Sequence, residues 1–388
     1  MRIQLRKFYY LLLMFLVAFF CMNAAAFPEK LKPSFSTIPN VNLSPAKVAG
    51  EAHSEEVKPV RWNKPQVVKG IYATGWMAGS SKWFPRLVDF IDTTELNALV
   101  IDVKDDTGTL SYKSKVPLTV EYEAFQNKIA DPQKMMQTLR GHNIYPIARI
   151  VVFKDPFLAR KKPEWAVKDT DGGLWYDHKG LNWIDPSNRL YWDYIIDIAK
   201  EAINLGFQEI QFDYVRFTSD GDLKRCVYPY STHQLRQDVI QEFLKYAKNK
   251  LGSYRIPISA DIFGLATSAT DDLGIGQKFE KIASSVDIIC PMVYPSHYAL
   301  GTFGLKNPDS NPYQTVFHGV SDAKKRLDKL GLGSEAPQIR PWLQDFSLGY
   351  HYGRTEIQKQ IQAVKDAGVN EWIFWNPSCR YDKSKYIE

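Results

Sequence analysis

Metal-binding spacing is missing from this sequence. Four Cys and seven His are scattered through 388 residues, with no CxxC, HxH or HExxH arrangement, so a zinc site or a redox dithiol has no local support. A GxSxG elbow and a phosphate-binding loop are absent too. After the first apolar strand, Thr74-Gly75-Trp76 offers one glycine and a bulky ring where a dinucleotide fold needs several glycines. The chain has no basic run, and its formal charge is only +6, which argues against nucleic acid as a partner. Its longest apolar stretch, Phe8 to Phe20, is too short for a comfortable membrane span.

That stretch reads instead as the core of an export signal over residues 1–26. Arg2, Arg6 and Lys7 precede it, and Ala24-Ala25-Ala26 follows as a small-residue cleavage site. Cys21 follows Phe19-Phe20, which is too bulky for a lipoprotein signal. Cleavage after Ala26 takes away three positive charges and leaves +3. The mature protein is therefore expected in the periplasm, the cell envelope or the medium, without stable membrane insertion. Cys226, Cys290 and Cys379 remain, and a Cys226–Cys379 disulfide is compatible with export. Residues 27–66, rich in Pro, Ser, Asn and Lys, read as a flexible, disordered linker.

What the chain does have is a strand–helix rhythm over residues 67–388. Apolar strand-like runs at Val68–Met77, Ala98–Lys104, Tyr145–Phe153, Glu209–Phe217, Pro257–Gly264, Asp287–Tyr294, Ile339–Phe346 and Glu371–Trp375 alternate with helical periodicity. Helices are expected near 82–95, 131–141, 188–206, 232–251, 276–285, 314–331 and 355–367. Eight strands and their helices predict an α/β fold, a (β/α)8 TIM barrel. An eighth helix is poorly visible after Asn376-Pro377. The longest connection, residues 154–187, would lie over the mouth of such a barrel, where active sites form.

Two of the strands carry acids among apolar residues. In Glu209-Ile-Gln-Phe-Asp-Tyr-Val-Arg-Phe217, period-two alternation puts Gln211 and Asp213 opposite Ile210 and Phe212; in Pro257-Ile-Ser-Ala-Asp-Ile-Phe-Gly264 it puts Ser259 and Asp261 opposite Ile258 and Ala260. A buried carboxylate needs a partner or a task. With the apolar faces turned to the helices, the inner faces deliver Asp102 and Lys104, Arg149, Gln211 and Asp213, Ser259 and Asp261, Met292 and Tyr294, Trp342 and Gln344, Trp375, and Thr74 with Trp76. Paired carboxylates suit glycoside hydrolysis, one protonated and one ionised. Asp213 is the candidate nucleophile or base and Asp261 the candidate acid, with Asp102 and Asp105 as alternatives. Asp102, Lys104, Arg149, Gln211, Tyr294 and Gln344 would hold sugar hydroxyls, and Trp76 and Trp375 would stack on sugar rings. No cofactor is required. Each acid also has a structural reading, such as Asp213 serving only as a partner for Arg149 or Arg216. A barrel that binds glycans without cleaving them is therefore the rival, and a deacetylase lacks its metal ligands.

These runs resemble a known family. Val68-Lys-Gly-Ile-Tyr-Ala73, Ile101-Asp-Val-Lys-Asp-Asp106, Ala148-Arg-Ile-Val-Val-Phe-Lys-Asp155, Trp183-Ile-Asp-Pro186, Ile210 to Phe217, Ser259 to Gly264 and Cys290-Pro-Met-Val-Tyr-Pro295 are similar to the bacterial "putative glycosyl hydrolase domain" family, from about Lys69 to Asn376. The resemblance implies a TIM barrel related to alpha-amylase-like glycosidases. Their strand-four nucleophile carries over to Asp213. Where they usually supply a Glu after strand five, this sequence has Asp261.

Overall fold

The computed structural model describes residues 62, 64–231 and 233–386. The expected signal segment lies outside the described residues, as does the linker apart from residues 62 and 64–66. Eight parallel strands form the centre: β1 Lys69–Ala73, β2 Ala98–Lys104, β3 Tyr145–Val151, β4 Glu209–Asp213, β5 Ile258–Phe263, β6 Ile288–Met292, β7 Trp342–Gln344 and β8 Trp372–Trp375. Each neighbours the next, β8 pairs with β1, and Trp342 pairs with Met292 between β7 and β6, so the sheet closes on itself. It is the expected (β/α)8 barrel. A short piece, Gln338–Ile339, also pairs with β6, and Arg340-Pro341 separates it from β7.

Strand alternation sorts the core into two layers. Ile71, Leu99, Ile101, Ile150, Ile210, Phe212, Ile258, Ala260 and Phe374 belong to the large cluster under the helices. Tyr72, Val100, Ile147, Cys290, Trp342 and Ile373 form a second cluster inside the barrel. Helices cover the outside: α1 Phe84–Asp92, α2 Pro132–Gly141, α3 Arg189–Leu205, α4 Arg236–Leu251, α5 Phe279–Ala283, α6 Pro312–Leu330 and α7 Arg354–Asp366. All seven fall where the periodicity predicts them. Their ends follow local chemistry. Asp131 accepts from the Lys134 N–H to cap α2, Asn188 caps α3, and Gly206 ends α3 at φ 117°, a conformation that favours glycine. No helix among the described residues is long and apolar enough to cross a membrane.

The position of an eighth helix is filled differently. After β8 the chain makes one short turn, Lys383–Lys385, and Tyr386 packs edge-on against Phe90 of α1 and Phe374 of β8. Asp345 fastens this tail by accepting from Lys385 Nζ at 2.7 Å and the Tyr386 hydroxyl at 2.9 Å.

The 154–187 connection is ordered and tied to the loop after β4. Lys168–Asp169 pairs antiparallel with Cys226–Val227, and Trp175 Nε1 donates to the Asp222 carbonyl at 3.0 Å. Gly221 lies under Trp175, where a Cβ would come within 2.6 Å of the ring. Trp165, Trp175 and Trp183 are buried, so these tryptophans build the loop and are not open platforms.

Cys226, Cys290 and Cys379 are all free thiols, so the Cys226–Cys379 disulfide does not form. Cys379 is buried and accepts from the Thr74 N–H at 3.4 Å, whereas Cys226 lies half-buried beside Thr218. Peptide mapping without reduction should therefore find Cys226 and Cys379 both alkylated after denaturation. A Cys226–Cys379 cross-linked peptide would contradict this arrangement.

Candidate active site

The C-terminal ends of the strands bring the expected acids together. Asp102 on β2, Arg149 on β3, Asp213 on β4 and Asp261 on β5 all point into the barrel. Arg149 bridges two of them: its Nη1 donates to Asp102 Oδ1 at 2.5 Å, and its Nε and Nη2 donate to Asp213 Oδ2 at 3.0 and 2.5 Å. The other oxygen of Asp213 accepts from the backbone N–H of Tyr214 at 2.6 Å. Tyr214 sits at φ 51°, an uncommon conformation for a bulky residue and one that turns the chain sharply after the acid. Tyr72, inside β1, donates its hydroxyl to Asp102 Oδ2 at 2.5 Å.

Asp261 has a different environment. Trp342 Nε1 donates to its Oδ1 at 2.7 Å, while Oδ2 is sealed in with no hydrogen-bond partner. Burial, and then the charge of Asp213, push its carboxyl well above the usual range. Burial and a neighbouring acid both favour the neutral form of a carboxyl. Asp102 is also raised by burial, to about 6, although Arg149 and Tyr72 pull against the shift. On neighbouring strands, then, one acid is clamped by a guanidinium and a backbone N–H, and the other lies where burial favours its neutral form.

The remaining expected residues divide. Gln211 lies one layer deeper, donating to Cys290 Sγ at 3.4 Å, with its Oε1 unpartnered. Gln344 is fully buried and joins two loops: it accepts from the Ser296 N–H at 3.1 Å and donates to the Phe346 carbonyl at 3.0 Å. Tyr294 is buried in an aromatic cluster with Trp375, Phe346 and His297, its ring centroid 5.0 Å from that of Trp375. Trp375 keeps a partly open face. Trp76 stands 62% exposed on the turn after β1. Asp105, held as a reserve acid, is paired with Lys128 and Thr107.

Lys104, expected to face inward with Asp102, does not. A bulge between Asp102 and Lys104 makes two β2 steps span one step of β3, so Asp102 pairs with Arg149 and Lys104 with the outward-facing Ile150. Lys104 is sealed behind the wall, where its Nζ meets Asp155 at 3.0 Å and the Val151 carbonyl at 2.9 Å. Thr74 is likewise outside the strand: it caps the short helix Gly75–Ala78, and Tyr72 takes the inner position of β1. Tyr72 and Trp342 hold the two flanking acids; both share the inner phase read from the sequence, which paired neither of them with an acid. Among the described residues, no three His, Cys, Asp or Glu side chains cluster so as to hold a metal ion.

Comparison with known proteins adds to this geometry. The family described as "putative glycosyl hydrolase domain" matches residues 70–381. The chain belongs to that family. A hypothetical protein of Ruminiclostridium thermocellum is 40% identical over 53% of this chain and 99% of its own, with a TM-score of 0.47. The glycoside hydrolase domain of PgaB (BpsB) from Bordetella bronchiseptica is 11% identical, covers 80% of this chain and 94% of its own, and has a TM-score of 0.57. Alpha-L-fucosidase isoenzyme 2 from Paenibacillus thiaminolyticus is 12% identical over 82% of this chain and 47% of its own, with a TM-score of 0.53. A search of curated proteins found no match. The two distant structures share the barrel, and the putative glycosyl hydrolase family accounts for nearly all of the described chain.

Proposed function

We propose that this chain is an exported glycoside hydrolase acting on a polysaccharide or envelope glycan, with Asp213 as nucleophile and Asp261 as general acid. The observation that carries this reading is the unequal treatment of two adjacent carboxyls. Phe212 pairs with Ala260, so Asp213 and Asp261 occupy the next rung of neighbouring strands. Such strands lie ~4.8 Å apart, close to the ~5–5.5 Å carboxyl separation of retaining enzymes. Asp213 would attack the anomeric carbon while the glycosidic oxygen takes the Asp261 proton and leaves. Asp261, now ionised, would take a proton from water, whose oxygen displaces Asp213 and restores both groups. Arg149 holds Asp213 in place through Nε and Nη2, and Trp375 and Trp76 offer open aromatic faces at the same end of the barrel.

One observation favours the rival reading of a non-catalytic glycan-binding barrel. Asp213 is held in an ion pair with Arg149, and Asp261 is only 1% exposed. Release of reducing ends from a glycan panel separates the two, with Asp213→Asn and Asp261→Asn as controls of confirmed fold. Turnover lost in both variants supports the hydrolase; glycan binding without wild-type turnover supports the rival. The pH profile adds a check. Because Asp261 works as an acid and its carboxyl is raised by burial and by the charge of Asp213, kcat/KM should fall as rising pH removes its proton, at a pH above the ordinary carboxylate range. Asp261→Asn should abolish that alkaline limb, and a limb that survives in the variant would assign the acid elsewhere.

A further inference from the structure

The strand-four run contains a cation that the proposed hydrolysis leaves unused. Arg216 lies three residues beyond Asp213 and is 6% exposed. Its guanidinium sits 4.8 Å from the ring centre of Trp183, 5.0 Å from that of Tyr214 and 4.8 Å from that of Phe263. These rings come from the loop after β3 and the ends of β4 and β5, so Arg216 occupies the catalytic end of the barrel. Nη1 donates to the Phe217 carbonyl at 3.1 Å and to Ser219 Oγ at 2.8 Å. Nε and Nη2 donate to no described residue, and neither atom is among those sealed from solvent without a partner, unlike Nη2 of Arg340.

The neighbouring cations are satisfied. Arg149 holds Asp102 and Asp213, Lys104 holds Asp155, Lys128 holds Asp105, and Lys154 lies 3.5 Å from Asp177 and 3.8 Å from Asp106. Arg216 has no carboxylate within 4.0 Å among the described residues. Asp213, Asp177 and Asp220 act on it only from farther away, and burial pulls its pKa down from the usual value. A buried guanidinium with two open donors and no counter-ion is costly unless something arrives to pair with it.

We propose that Arg216 is a specificity residue that binds a carboxylate carried by the glycan, so that the substrate class is a uronate-containing polysaccharide. This rests on the glycan-binding reading of the same barrel. The planar fork of arginine matches a carboxylate with two parallel N–H donors, and the free pair Nε and Nη2 has that form. A single unpaired cation fits a monoanion better than a phosphate dianion, because Lys154 beside the same rings is already engaged. Trp183, Tyr214 and Phe263 fix the guanidinium plane so that little rotamer freedom is lost on binding.

The test is affinity electrophoresis of the full chain in gels holding polygalacturonate, alginate or hyaluronan, each beside its carboxyl-reduced form. Wild type should be retarded by at least one acidic polymer and much less by its reduced counterpart. Arg216→Gln should weaken that retention ~10- to 100-fold, the range for a hydrogen-bonded charged group, with retention by reduced or neutral glycans unchanged. Arg216→Lys should restore part of it, an effect that a purely structural loss would not produce. Equal retention by acidic and reduced polymers, or no retention by any acidic polymer, overturns the proposal. The two readings fail separately. Asp213-dependent turnover of neutral glycans without acid preference keeps the hydrolase and removes the uronate subsite. Arg216-dependent retention without any turnover keeps the subsite and removes the hydrolase.

Discussion

Asp261→Asn should lower glycan turnover by ~10²–10⁴-fold, the usual contribution of a placed general acid, and Asp213→Asn by at least as much. Both substitutions are nearly isosteric, and the fold should survive each for a stated reason. In Asp213→Asn, Arg149 keeps Asp102 at 2.5 Å, so the guanidinium is not left buried and alone. In Asp261→Asn, the side-chain oxygen can still accept from Trp342 Nε1, which now donates at 2.7 Å. The two variants differ in what they do to each other. The charge of Asp213 helps to raise Asp261, after burial, so Asp213→Asn should lower the Asp261 pKa toward the ordinary carboxylate range. Removing the Asp213 charge thus also weakens the hold on the Asp261 proton. A leaving group that needs no protonation sorts the roles: with an activated aryl glycoside, Asp261→Asn should recover much of its first-step rate and Asp213→Asn should not. Comparable activity of either variant and wild type on an ordinary glycan would remove that residue from the mechanism.

Much of this site was legible because strands alternate. Asp213 and Asp261 stand out in the sequence as acids on the polar side of strands whose other side is apolar, and both do point inward. The same rule misplaced Lys104, since the bulge in β2 carries no glycine or proline to announce it. Tyr72 shares the inner phase of Thr74 and Trp76, but reading β1 through to Met77 placed that strand's site residues too far along the chain. The strand ends at Ala73, and Thr74 starts a helical turn by accepting from the Met77 N–H. The two expected platforms, Trp76 and Trp375, keep an open face, whereas Trp165, Trp175, Trp183, Trp192, Trp342 and Trp372 are buried. A sequence shows that a ring is present but not which of two surfaces it covers.

The hardest feature to read was a contact among residues far apart in the chain. At the opposite end of the barrel, Arg340 is fully buried between Glu209 and Glu371; its Nη1 donates to both oxygens of Glu209 at 2.8 and 2.9 Å, and its Nε to Glu371 at 2.8 Å. Ser259 Oγ donates to Glu209 at 2.7 Å, and the Val68 N–H to Glu371 at 3.1 Å, so the group ties together β4, β5, β7, β8 and the entry to β1. Arg340→Met should destabilise the protein by about 3–5 kcal/mol, because it leaves two carboxylates buried without their counter-ion. Urea unfolding at pH 7 would measure the loss. The sign of its pH dependence follows from the orphaned acids: with Arg340 gone their folded pKa values rise, so stability is greatest where they are protonated and falls as pH rises through those values. Arg340→Met should therefore approach wild type on acidification. Adding Glu209→Gln and Glu371→Gln should recover most of the loss at pH 7, since an uncharged group can replace a buried ion cluster at little net cost. A loss under about 1 kcal/mol in Arg340→Met, or no recovery in the triple variant, would show that the cluster does not hold the barrel's floor. Activity per folded molecule should not change in the triple variant, for in this fold the chemistry sits at the other end of the strands.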